Sequence, residues 1–366
     1  MTSSSAQMST NVPLADCCTM GIGGAARHFT TITSLEELNG ALRWAGENRE
    51  PFFVLAGGSN VLFSDAGFPG LVIHMAIKGI SFNEDSGSDG VVVQAAAGED
   101  WNAFVDTCVE RGLQGIECLA GIPGQVGATP IQNVGAYGQE VSDTITRVQV
   151  IERTGGDPFW ISNTDCGFGY RTSRFKGRDR NRFIVTAVEF ALKPGAPPLT
   201  EYRDISRHLE QARIASPTLA QVRDAVMAVR RSKSMVVDPS DPDSHSCGSF
   251  FTNPIILPEE AESLRAAALE AGLITADETM PAHPTSDGRV KLSAAWLIDR
   301  SGFKRGQRHG NVAISSKHVL ALTNCGGGTA REILALATEI RTRVRDTFGI
   351  LLEPEPVLPA ITLPPS

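Results

Sequence analysis

The sequence predicts an α+β protein of two domains. Short apolar runs of strand length alternate with amphipathic helical stretches through the first half. Two glycine-rich segments interrupt them, and the stretch Lys193–Pro198, rich in proline and glycine, precedes a more helical second half. A length of 366 residues suits two or three domains of ~100–200 residues each. The 42% apolar and 20% charged composition is that of an ordinary globular chain. The net charge of −8 argues against a main role in nonspecific binding to nucleic acid or an anionic membrane. No apolar run reaches the ~20 residues of a membrane span. Met1–Asn11 is Ser/Thr-rich without a basic or apolar signal region, and reads as a disordered leader.

A first helix begins at Ser34, with Glu37 completing a capping box and Leu35, Leu38 and Leu42 on one face. A strand at Phe52–Leu55 runs into Gly57-Gly58-Ser59-Asn60, and short strands follow at Leu71–Ile73 and Val91–Ala97. Asp100 caps a helix carrying Phe104, Val105, Cys108 and Val109, which Gly112 ends. Arg147–Ile151, Phe159–Ile161 and Phe183–Leu192 are strand-like. Beyond the Pro/Gly stretch, helices are expected from Pro217, over Pro258–Ala271, over Ser293–Arg300, and from the capping box Thr329/Glu332. Strands are expected at His318–Thr323 and Ile350–Glu353, and the tail after Pro359 should fray.

Seven cysteines without a CxxC pair suggest reduced thiols in a cytosolic protein. Seven scattered histidines, with neither HExxH nor HxH, suggest no metal site.

Several segments carry candidate chemistry. After the apolar run ending at Leu55, Gly57 and Gly58 permit positive φ, and Ser59 and Asn60 add donors. The loop is either a tight turn or a nest of amides for a diphosphate. Gly121–Gly138 holds five glycines and two prolines in 18 residues, so it is no regular helix or central strand. It is either a structural loop or a nearly side-chain-free surface for a flat ligand. Gly21–Ala26 nearly fits GxGxxA but lacks the strand-then-helix context of a Rossmann loop. Cys325–Thr329 reads as a turn with Thr329 as N-cap, a phosphate being the alternative. Tyr170–Lys176 clusters three cations, either a solvated turn or an anion clamp. Ser249 lacks a GxSxG elbow, which argues against a hydrolase nucleophile. Glu353 and Glu355 by themselves are ordinary surface acids.

Taken in order, VLAGGSNVL (54–62), GIPGQVGATPIQNVGAYGQE (121–140), YRTSRFK (170–176), RRSK (230–233), GSFFTNP (248–254), KLSAAWLID (291–299) and LEPEP (352–356) closely resemble the UDP-N-acetylenolpyruvoylglucosamine reductase (MurB) family. The resemblance runs from Pro13 to Val357. It implies a FAD-binding domain of the vanillyl-alcohol-oxidase (PCMH) type followed by a smaller α+β substrate domain. The implied division is a leader at 1–12, a FAD domain of two lobes at 13–195, a substrate domain at 196–358 whose last strand packs back near the FAD site, and a tail at 359–366.

The resemblance further implies noncovalent FAD, NADPH as co-substrate, and a UDP-sugar whose enolpyruvyl group is reduced in peptidoglycan precursor synthesis. It places FAD against Leu55, Gly57, Gly58, Ser59, Asn60 and Val61, and against Gly121, Ile122, Pro123, Gly124, Gly127, Ala128, Gln132, Asn133, Gly135 and Tyr137. By the same resemblance Arg171 and Glu355 would polarise the substrate carboxylate and stabilise the enolate, a role for which Glu355 needs a protonated form, and Ser249 would donate the proton to carbon. Tyr170, Tyr202, Lys233, Asn253 and Gln307 match substrate-binding positions. A cytoplasmic monomer without nucleic-acid or membrane partners is expected. The chain departs from the pattern in one extra residue before Tyr202, in the longer stretch between Lys233 and Ser249, and in Pro356 after the catalytic-type Glu. A flavin oxidase on the same domain, and a sensor that has lost turnover, are the alternatives.

Overall fold

The computed structural model describes residues 7–84, 90–285 and 287–364. The chain forms two compact units, one of residues up to Val12 with Ala25–Gly58 and Phe68–Val236, the other of Pro13–Gly24, Ser59–Gly67 and Val237 onward.

Among the described residues the first unit holds two larger sheets and a two-stranded one, Gly135–Ala136 with Gln139–Glu140. One has the strand order Met8–Pro13, Ala25–Ile32, Phe68–Met75, Phe52–Leu55. The strand Phe68–Met75 pairs in parallel with both Ala25–Ile32 and Phe52–Leu55. Helix Leu35–Glu47 makes the first crossover, and Ser34 Oγ caps it by accepting from the Glu37 amide at 3.1 Å. Parallel neighbours cannot be joined by a tight hairpin. The second crossover is therefore the long connection 56–67, which opens with the glycine loop and whose residues 59–67 belong to the other unit. The leader differs from expectation, because residues 8–13 form an edge strand; residues 1–6 lie outside the described part.

The other larger sheet is antiparallel, in the order Phe159–Ser162, Ile145–Glu152, Phe183–Pro194, Val91–Ala96, Ile80–Asn83. Its central strand, Phe183–Pro194, is buried on both faces over most of its length. Asp100 Oδ1 accepts from the Ala103 amide at 2.8 Å and starts helix Trp101–Glu110. The rings of Trp101, Phe104 and Phe190 meet with centroids 5.1–6.1 Å apart at the centre of this core.

The Pro/Gly stretch at Lys193–Pro198 ends a strand and does not change unit. Beyond it, helices Arg203–Gln211 and Leu219–Ser232 bury Ile205, Leu209, Val222 and Val226 in the same core, and the chain passes to the second unit at Val237. The apolar stripes of those helices need a partner surface, and this core supplies it.

The second unit has a sheet in the order Ser246–Ser249, Ala321–Asn324, Val312–Ile314, Arg308–His309, and a smaller one in the order Ile255–Ile256, Val290–Leu292, Ala282–Pro284. Helices Pro258–Glu270, Ala294–Arg300 and Ala330–Phe348 complete it. The longest has the expected capping box, with Thr329 Oγ1 accepting from the Glu332 amide at 3.1 Å. Asp65 also accepts from the amides of Ala330 and Arg331 at 2.7 and 3.0 Å. Carboxylates therefore occupy this helix N-terminus, and the phosphate alternative for Cys325–Thr329 is excluded.

Two expectations fail near the C-terminus. No regular strand forms at 350–353, and isolated bridges form instead at Pro354 and Val357. Pro354 and Pro356 lack N–H groups, so a continuous ladder is impossible there. The tail does not fray over its described length, since Leu358, Ile361 and Leu363 pack against the second core. No helix among the described residues is long and apolar enough to cross a membrane.

The cysteines are free, with Cys108, Cys118, Cys166 and Cys247 buried and Cys17, Cys18 and Cys325 partly exposed. Burial pushes the thiols of Cys108 and Cys166 up to about 12. The thiolate is the reactive form. We expect no more than the three exposed thiols to react with a disulfide reagent in the native protein near ~pH 8, and all seven after denaturation. Phe104→Ala should cost ~3–5 kcal/mol in urea unfolding, because it empties a fully buried site.

Candidate active site

In the first unit the strand Phe52–Leu55 ends on buried Leu55 and releases the glycine loop. A Cβ on Gly57 would lie 2.8 Å from Gly124 Cα, so the two glycine-rich segments meet backbone to backbone. Gly58 takes φ +64° and Gly124 φ +132°, conformations that side chains resist. The Gly124 carbonyl accepts from the Trp101 amide at 3.1 Å, and the Gly121 amide donates to Asn102 Oδ1 at 2.7 Å. A Cβ on Gly127 would lie 2.4 Å from Ala97 Cβ. Ile122, Pro123, Ala128 and Gln132 are half-buried along this segment.

Asn133 is buried and turned inward. Its Nδ2 donates to Glu140 at 2.7 Å and to the Gly169 carbonyl at 3.2 Å, and its Oδ1 accepts from the Ser142 amide at 3.1 Å. The side chain thus locks the segment's own fold. Arg171 follows the same segment, with Nη2 donating to the Gly135 carbonyl at 2.6 Å and Nη1 to that of Asn133 at 3.4 Å. Its own φ of +51° is unusual for a non-glycine residue and marks an over-determined position. The Tyr170 ring lies 5.5 Å from its guanidinium carbon.

Tyr137 meets Tyr202 edge to face at 5.2 Å, and the Lys233 ammonium sits 5.9 Å from the Tyr137 centroid. Lys233 caps the C-terminus of helix Leu219–Ser232, a favourable place for a cation, and donates to Asp204 at 2.6 Å. That hydrogen bond holds the Asp204 carboxyl below its ordinary range. Tyr202 is 45% exposed and opens helix Arg203–Gln211 as its N-cap residue.

Arg230 was not singled out by sequence, although the RRSK motif contains it. It is buried, hydrogen-bonds Tyr137, and donates to the Met235 carbonyl at 2.7 Å. A Cβ on Gly121 would fall 3.3 Å from its Nε. Burial raises the Tyr137 phenol, and the charges of Arg230 and Lys233 oppose that rise.

In the second unit Ser249 ends the strand Ser246–Ser249, beyond Gly248 at φ +72°. The register shifts between Ser246 and Ser249, and such an irregularity re-aims the side chain that follows it. Phe250 and Phe251 anchor the turn, fully buried with rings 5.3 Å apart. The Glu355 amide donates to the Phe250 carbonyl at 2.9 Å, which sets Glu355 against the residue that follows Ser249. Glu353 differs, since its side chain is 68% exposed and lies 3.9 Å from Arg341, whereas Glu355 is half-buried. Asn60 Nδ2 donates to the Glu355 carbonyl at 3.3 Å, and buried Val61 bridges to Val357 in parallel. Ser59 precedes them, half-buried.

Asn253 Oδ1 accepts from the Ala294 amide at 2.9 Å, at the start of helix Ala294–Arg300. Gln307 is exposed and accepts from the Lys304 amide at 3.2 Å. Arg171, Tyr170, Tyr202 and Lys233 belong to one unit, and Ser249, Asn253, Gln307 and Glu355 to the other.

A parallel and antiparallel α+β unit with two glycine segments in backbone contact is the architecture of an FAD-binding oxidoreductase. The model of the FAD binding domain matches residues 25–156, and that of the UDP-N-acetylenolpyruvoylglucosamine reductase C-terminal domain matches 239–359. The UDP-N-acetylenolpyruvoylglucosamine reductase of Thermobifida fusca is 48% identical, over 96% of this chain and 98% of that one. That of Streptomyces avermitilis is 45% identical, over 96% and 95%. The crystal structure of UDP-N-acetylenolpyruvylglucosamine reductase (MurB) from Thermus caldophilus superposes with a TM-score of 0.62 at 26% identity, covering 96% of this chain and 98% of that one. The chain belongs to the UDP-N-acetylenolpyruvoylglucosamine reductase family, and FAD is its cofactor.

The first unit fits that cofactor. Where Gly57 meets Gly124, bare backbone is presented without intervening side chains, as close approach to a diphosphate and a flat ring system requires. Gly57→Ala must push its Cβ into Gly124. We expect the purified variant to lose its flavin absorbance while its far-UV circular dichroism remains that of the parent.

Proposed function

We propose that the chain performs its family's reaction, reducing UDP-N-acetylglucosamine enolpyruvate to UDP-N-acetylmuramate at the expense of NADPH, with Arg171, Ser249 and Glu355 carrying the chemistry. Bound FAD supplies the hydride relay from NADPH to the alkene carbon β to the substrate carboxylate. One hydride and one proton saturate the double bond, and NADP⁺ and the lactyl ether are the products.

The residues divide the remaining work. Hydride addition builds enolate charge on the carboxylate end, so cationic and hydrogen-bonding groups must meet it there. Arg171 offers a planar fork, and its contacts with the Gly135 and Asn133 carbonyls restrict the guanidinium before substrate arrives. Glu355 in its protonated form donates a hydrogen bond to the same charge. Ser249 delivers the proton to the neighbouring carbon. A serine hydroxyl is a weak acid, so it serves only a strongly basic enolate at short range.

The observation that supports this reading is that the segment of Glu355 is hydrogen-bonded to the residues that directly follow Ser249. A register irregularity aims the serine, and the Glu355 amide is bonded at 2.9 Å to the carbonyl of the very next residue, Phe250. Either residue without the other would be an ordinary polar side chain. For the UDP-sugar we assign Tyr170, Tyr202, Lys233, Asn253 and Gln307. The Lys233 ammonium has three donors and gives one to Asp204, so it retains the capacity to donate to a diphosphate.

An anaerobic two-step experiment tests the assignment: reduction of the flavin by NADPH, then addition of the enolpyruvyl sugar nucleotide. Ser249→Ala should leave the first step near the parent rate and slow the second by ~10²–10⁴-fold. Equal loss in both steps would make Ser249 a structural residue. Arg171→Lys should also fail in the second step, because an ammonium lacks the fork.

A further inference from the structure

The loop that opens at Gly57 ends in the same hydrogen-bond ladder that holds Glu355. Asn60 grips that segment twice within the second unit. Its Nδ2 donates to the Glu355 carbonyl at 3.3 Å, and its own carbonyl accepts from the Val357 amide at 3.0 Å. The two bonds bracket Pro356, which has no N–H to contribute. One residue further, the Leu62 amide donates to the Val357 carbonyl at 3.0 Å and Val61 bridges to Val357. On its other side the segment is tied to the strand of Ser249, through Glu355 to Phe250 at 2.9 Å and Thr252 to Glu353 at 3.0 Å.

We infer that Asn60 is a positioning residue for Glu355, and that through it occupancy of the Gly57–Val61 loop by FAD orders the Glu355 segment. The physical reason lies in the two prolines. Pro354 and Pro356 deny the segment a regular ladder, so its bonds to neighbours set its order. Asn60 supplies two of them from a loop only two residues beyond Gly58. A cofactor that restrains the loop restrains Asn60, and Asn60 restrains the carbonyl of Glu355. The enolate-stabilising group is then better ordered when the cofactor is present. Asn60 acts through Glu355 and does not itself touch the reacting carbons.

The inference rests on the reading of Glu355 as catalytic. Its test is hydrogen exchange, read by mass spectrometry on peptides covering 352–358, in the full chain with and without FAD. In the parent, FAD should slow exchange at Glu355 and Val357 by about tenfold or more. Asn60→Ala and Asn60→Asp both remove the Nδ2 donor and keep the backbone bond to the Val357 amide, so each should lose a measurable part of that protection, most of it at Glu355. In variants that still take up FAD, reduction by NADPH should outlast reoxidation by substrate. FAD-loaded variants with the exchange of the FAD-loaded parent at 352–358 overturn the inference, and so do FAD-free variants with the exchange of the FAD-free parent, because Asn60 would then serve the cofactor alone. Glu355→Gln separates the two ideas: if it reoxidises at the parent rate, the assignment of Glu355 fails, whatever the exchange data show for Asn60.

Discussion

Gly57 and Gly124 approach so closely that neither strand end nor loop can carry a side chain between them. Much of the first unit is arranged around that contact. The strand Phe52–Leu55 brings Gly57 to it, and the Trp101 amide holds Gly124 from the other side through its carbonyl. Trp101 is in turn locked by the rings of Phe104 and Phe190 in the core. Exposed backbone in a rigid setting is what a diphosphate requires, because amides held in one direction need no reorganisation when the anion arrives.

A topological constraint carries the same loop to the second unit. Parallel neighbours need a long connection, and residues 56–67 supply it by leaving the sheet altogether. The excursion buries Val61 and Leu62, places Asp65 on the N-terminus of the longest helix, and sets Asn60 against the Glu355 segment. A segment that looks like a mere connection is therefore built into the second unit, against its last residues.

Elements with a strong local cause were legible in the sequence. Ser34, Asp100 and Thr329 act as caps because each has a side-chain oxygen within reach of an amide three residues on. The antiparallel strands 145–152 and 183–194 announce themselves by apolar β-branched runs. Elements whose cause is distant were not. The edge strand Met8–Pro13 is polar and exists because Ala25–Ile32 offers it a partner. The Lys193–Pro198 stretch looks like a boundary but only ends a strand, since the helices after it share the first core. The tail is tied down by apolar contacts to the second core, which no local pattern could announce.

The site divides along the same line. Local sequence by itself determined the glycine segments, because only glycine permits such φ values and such approach, and the ordered motifs determined the family and its FAD. The motif already favoured Glu355 over Glu353, and tertiary structure supplied the physical difference between them: Glu353 is solvated and faces Arg341, while the Glu355 amide is hydrogen-bonded to the Phe250 carbonyl. Tertiary structure alone decided that Asn133 turns inward, that Arg230 is buried against Tyr137, and that Asn60 reaches the Glu355 segment. The physical reason is range. A φ preference or a cap is settled within four residues of chain, whereas a partner 295 positions away is settled only when the whole ladder has closed.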